Sequence, residues 1–84
     1  MFEVLIERHA ERDLARLDRD TWTRVTHALA ALADDARPDG CRKLAGSVSD
    51  WRIRVGDYRI LYEIDRRARV VRVMHIRHRR DAYR

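Results

Sequence analysis

Residues 51–62 read Trp51-Arg52-Ile53-Arg54-Val55-Gly56-Asp57-Tyr58-Arg59-Ile60-Leu61-Tyr62, and the alternation in this stretch decides the fold. Successive side chains on a strand point to opposite faces of a sheet. Trp51, Ile53 and Val55 can therefore build a core while Arg52 and Arg54 share the other face. If the two halves pair as a hairpin across Gly56-Asp57, Arg59 joins those arginines, and Trp51, Tyr58 and Tyr62 fall on the opposite phase as core residues with polar tips. Several guanidiniums on one sheet face repel one another, so the fold itself does not call for them. A polyanion does, and phosphate matches guanidinium geometry best.

Working outward, a third strand-like run covers 70–77. Its apolar residues change phase: Val71 and Val73 lie on one, Met74 and Ile76 on the other. That predicts a bulge or a strand buried on both faces. Upstream, Phe2-Glu3-Val4-Leu5-Ile6 reads as a short strand. Ala10, Leu14 and Leu17 follow at helical spacing, and Trp22, Val25, Leu29 and Leu32 form an amphipathic stripe expected to be core. Asp18 or Asp20 is placed to cap that second helix, and residues 34–40 form the one long connector. The order β-α-α-β-β-β predicts an α+β domain spanning residues 1–84. Its N-terminal strand and helical hairpin pack on one face of a four-stranded antiparallel sheet, leaving the opposite face to the arginines.

The charge follows the same division. Residues 1–40 carry a net −3 and residues 41–84 a net +8, giving +5 over 84 residues. A basic excess gathered on one strand phase is the footprint of a nucleic-acid binder, not of a solvated tail. The single cysteine, Cys41, excludes an internal disulfide and fits a reducing compartment. No apolar run approaches a membrane span, and the N-terminus lacks a signal-peptide pattern; a cytoplasmic protein is expected. His75-x-x-His78 has no third ligand nearby in sequence, so no metal or other cofactor is expected. His9 and His27 read as spectators and His75 as structural.

Lys43-Leu44-x-Gly46, the 51–62 stretch with its Gly-Asp-Tyr-Arg turn, and His78-Arg79-Arg80-Asp81-Ala82-Tyr83 together resemble the RelE branch of the RelE/ParE toxin superfamily. The resemblance implies the toxin half of a type II toxin–antitoxin pair, a metal-independent endoribonuclease that cuts mRNA in the ribosomal A site. It also implies a cognate antitoxin partner encoded by a neighbouring gene. Carried over position by position, it places catalytic roles on Arg52, Arg54, Arg59, Arg79 and Tyr83. The residues add His78 as a candidate proton carrier and Lys43, Arg77 and Arg80 as RNA contacts. Relatives often have lysine where Arg52 and Arg54 stand, and arginine cannot serve as a base because its pKa exceeds about 12. The arginines are therefore expected to clamp phosphate, and proton transfer is left to Tyr83 or His78. Two readings stand beside this one: the ParE branch, which shares the fold but inhibits DNA gyrase, and a non-catalytic nucleic-acid-binding module.

Overall fold

The computed structural model describes residues 1–46 and 50–80. The elements, in chain order, are β1 (Glu3–Ile6), α1 (Arg8–Ala15), α2 (Arg19–Ala31), β2 (Arg42–Lys43), β3 (Asp50–Val55), β4 (Tyr58–Asp65) and β5 (Val70–His78). They form an α+β fold with two helices on one face of a five-stranded sheet of order β1-β5-β4-β3-β2. Two features differ from the four-stranded antiparallel expectation. β2 adds a strand of two residues, too short for alternation to reveal. β1 pairs with β5 in parallel, so the sheet is mixed. The helical hairpin carries the chain from the β1 edge to the β2 edge. Three antiparallel steps then bring it back beside β1 in the same direction.

Asp18 caps α2, its Oδ1 accepting from the Thr21 N–H at 2.8 Å, which holds the carboxyl below its ordinary range. From α2, Val25, Leu29 and Leu32 descend onto Ile60, Tyr62 and Ile64 of β4 and Val71, Val73 and Ile76 of β5. Trp22 does not join them: it is 48% exposed. Its angular position suits the stripe, but it lies in the first turn of α2, where side chains lean toward the helix N-terminus and past the last packed layer. Tyr62 is buried, and its hydroxyl donates to the Ala36 carbonyl at 2.8 Å, tying the 34–40 connector to the sheet. Burial, with Cys41 and Asp35 nearby, holds this phenol in its neutral form.

The β5 bulge explains the changing phase. Leu61 pairs with His75 but Tyr62 pairs with Val73, leaving Met74 as the extra residue. Val71, Val73 and Ile76 can then all face the helices, while His75 and Arg77 turn to the other side. β1 ends at Ile6, opposite Val73, so α1 borders the following part of β5. There the Asp13 carboxylate accepts from the Ile76 N–H at 2.8 Å, filling a backbone bond that β1 is too short to supply. At the other end of the sheet, Gly56 takes φ +59° in the two-residue β3–β4 turn. A side chain there would also meet the Arg24 guanidinium, 3.1 Å from an added Cβ. Among the described residues, no helix is long and apolar enough to cross a membrane.

Candidate nucleic-acid interface

The helix-free face is organised by strand register. Arg54 pairs with Arg59, and Arg59 with Arg77, so three arginines stand side by side across β3, β4 and β5. One pleat step away, Arg42 pairs with Arg52, Arg52 with Leu61, and Leu61 with His75. Like charges directly opposite on a sheet destabilise it by about 0.2–1 kcal/mol per pair. Arg54, Arg59 and Arg77 therefore repel one another across the sheet.

A depression of about 310 Å³ opens on this face, lined among the described residues by Gly40, Arg42, Arg52, Arg54 and Arg59, none of them acidic. Arg59 forms its floor at 6% exposure and is the one buried charged residue among those described. Arg52 is half-buried and Arg54 exposed, so the guanidiniums rise from the floor to the rim. An anion seated here meets cationic donors at several depths, partly screened from water, where electrostatic attraction is stronger than in bulk solvent.

Beyond the depression, Arg77 is half-buried, with Nη2 3.3 Å from Nδ1 of His75. Arg79 is exposed, and its backbone N–H donates to the Asp57 carbonyl at 2.7 Å, pinning the chain after β5 to the β3–β4 turn. Arg80 is exposed, its N–H donating to Nδ1 of His78 at 3.3 Å. Two residues expected at the site stand elsewhere. His78 pairs with Tyr58, meets its ring edge-on at 5.3 Å, and lines a hollow with Asp13, Arg16 and Leu17 on the helix side. The strand phase of His78 is opposite to that of Arg77, yet Arg77 lines this hollow too, at the edge where the two faces meet. Lys43 pairs with Trp51 and shares its phase; it lines a groove with Arg37, Arg66 and Arg67. Tyr83 lies outside the described residues.

Sequence reasoning missed Arg42 and His75. Arg42 sits in a strand of two residues with no periodicity to read. His75 did carry a signal, since it stands two residues before Arg77 and shares its phase. Among the described residues no group of three or more His, Cys, Asp or Glu could hold a metal ion.

Mixed sheet, helical hairpin on one face and arginines on the other define a class that the comparisons identify. Residues 4–83 match the family described as the ParE toxin of type II toxin–antitoxin systems, parDE. The chain belongs to this family and is a toxin of the RelE/ParE superfamily. Its fold is similar to that in the archaeal RelE–RelB complex from Pyrococcus horikoshii OT3, with a TM-score of 0.84, 23% identity, and 96% of this chain and 98% of that one covered. It is similar to the toxin–antitoxin complex RelBE2 from Mycobacterium tuberculosis, with a TM-score of 0.81, 27% identity and coverage of 95% and 93%. A YoeB/ParE toxin from Agrobacterium tumefaciens shares the fold at a TM-score of 0.77 and 14% identity, covering 92% of this chain and 98% of that one. A search of curated proteins found no match.

Proposed function

We propose that this toxin is a metal-independent endoribonuclease that cuts mRNA on the ribosome in the cytoplasm and so inhibits translation. The observation that carries this reading is the depression lined, among the described residues, by Gly40, Arg42, Arg52, Arg54 and Arg59, with Arg77 next to Arg59 in the strand register. In RNA cleavage without a metal, the 2′-oxygen attacks the adjacent phosphorus as it loses its proton. The 5′-oxygen leaves and takes a proton, and a cyclic phosphate remains. Negative charge on the phosphorus oxygens peaks in between, where preorganised guanidiniums stabilise it most. Arg59, fixed in the floor, addresses that charge; Arg52 and Arg54 clamp the phosphate from the β3 side. Arg77 closes the series from β5, and Arg79 and Arg80 extend the basic surface along the RNA.

None of these arginines moves a proton at neutral pH. Tyr83 is assigned that role or stacking on a base, and the ribosome supplies alignment of the strand. The partner that restrains the toxin is an antitoxin with an acidic segment that folds on binding. Support for an antitoxin partner comes from the similar RelE–RelB complex and the RelBE2 toxin–antitoxin complex.

Gyrase inhibition is the second reading, favoured by the match to the ParE family model. Mapping cleavage on translated mRNA after induction, beside a gyrase supercoiling assay with the purified toxin, separates the two. Cuts within translated codons with gyrase unaffected support the nuclease. Intact mRNA with blocked supercoiling overturns it.

A further inference from the structure

The Met74 bulge has a chemical result. Without it, His75 and Arg77 would share the core-facing phase of Val73; with it, both stand on the arginine face. There Nδ1 of His75 lies 3.3 Å from Nη2 of Arg77. A guanidinium has donors only, so Nδ1 is the acceptor, the ring is neutral, and its proton sits on Nε2. Several charged or titratable groups face this ring. Arg77 does so from its own strand. His9, at a centroid distance of 5.4 Å, and Asp13 approach from α1. Glu63 of β4 and Asp50 of β3 share the hollow of about 230 Å³ that His75 lines with Leu61 and Met74. Burial and the positive charge of Arg77 oppose protonation of the ring, against a smaller opposing pull from Asp13.

An arginine side chain gives up rotamer entropy when it is held in one conformation. Arg77 is repelled by Arg59 directly across the sheet and would extend into solvent without an acceptor to hold it. We propose that His75 is a positioning residue that holds the Arg77 guanidinium in line with Arg54 and Arg59. Protonating His75 then releases Arg77 and weakens the grip of this face on a phosphate backbone. The inference rests on the reading of the face as a polyanion site and does not depend on whether the bound strand is cut.

The sign of the pH effect separates positioning from simple charge. A histidine that merely gained a proton beside a polyanion would bind it more tightly in acid. One that loses Arg77 on protonation binds it less tightly. The measurement is fluorescence anisotropy of a 2′-O-methyl RNA oligonucleotide, which cannot be cleaved, with the full chain between pH 8 and 5.5. The variants are His75→Gln, His75→Ala, Arg77→Ala and the double variant that combines His75→Ala with Arg77→Ala.

Wild-type affinity is expected to fall about tenfold toward acid pH, the loss of one charge-assisted phosphate contact. His75→Gln, whose amide oxygen accepts from the guanidinium but does not titrate, keeps the pH 8 affinity throughout. His75→Ala binds as weakly as Arg77→Ala at every pH, and combining the two weakens binding no further. Circular dichroism at each pH confirms that the variants are folded. Suppose wild type binds and Arg77→Ala weakens it, while His75→Ala and His75→Gln leave both affinity and pH profile unchanged. The positioning role is then overturned and the polyanion face stands. Absence of wild-type binding at every pH removes the polyanion face and the positioning role with it.

Discussion

Replacing Arg59 by methionine should leave the toxin folded while removing most of its activity. Methionine keeps a long unbranched stem in the floor of the depression, where Arg59 is 6% exposed, and deletes only the guanidinium. Arg59 stands directly across from Arg54 on one side and Arg77 on the other. Each like-charged cross-strand pair costs about 0.2–1 kcal/mol. Arg59→Met relieves two of them, worth about 0.4–2 kcal/mol, against loss of the polar contacts that Arg59 itself makes.

For a domain of this size about 1 kcal/mol moves the melting temperature by roughly 4–8 °C. Because the relieved repulsion and the lost Arg59 contacts oppose each other, the expected melt lies within a few degrees of wild type. The difference should shrink as salt screens the repulsion. Removing one preorganised donor from a developing oxyanion costs about 10²–10³ in rate, read by single-turnover cleavage of ribosome-bound mRNA. A variant that melts several degrees lower at low salt and cleaves at the wild-type rate would refute the reasoning on both counts. It would make Arg59 a structural residue.

Tyr62→Phe strands the buried Ala36 carbonyl and is expected to cost about 1–3 kcal/mol in urea unfolding, with the slope unchanged. Gly56→Ala places a side chain at φ +59°. It should lose about 1–2 kcal/mol, most of it backbone strain because the Arg24 tip can move aside. Folding stability is expected to fall on the acid side of pH 6.5 through His75, whose pKa is lower folded than unfolded. The unfolded chain then binds more protons, so stability present above pH 6.5 drains as pH descends through the folded value. Chemical denaturation from pH 7.5 to 5 checks this, and His75→Gln should flatten that part of the profile. Purified toxin is expected to leave naked RNA largely intact and to cut the same message on ribosomes, because the face holds charge but little that moves a proton. Efficient cutting of naked RNA would contradict the need for ribosomal alignment.

Strand alternation in Trp51–Tyr62 carried the β3–β4 hairpin, its register and the shared face of Arg52, Arg54 and Arg59 without any coordinates. Period two permits only one assignment of sides once the turn is placed. The mismatch between Val73 and Ile76 was legible as either a bulge or a strand buried on both faces, with the pairing to β4 selecting the bulge, and the stripe from Val25 to Leu32 was legible as a core helix. Other features were beyond local reading because they depend on residues far apart in the chain. β2 forms only because Arg42 and Lys43 come to lie against β3, and the parallel β1–β5 pair joins segments more than sixty residues apart. Trp22 fits the helical period yet extends past the packed layer, since periodicity gives an angle and not a depth. The same distinction divides the site. Sequence supplied which arginines face the same way. Tertiary structure decided that Arg42 joins them, that His78 faces the helices, and that the Met74 bulge turns His75 toward Arg77. A one-residue shift in strand phase moves every later side chain to the other face, and only the pairing partners determine where that shift falls.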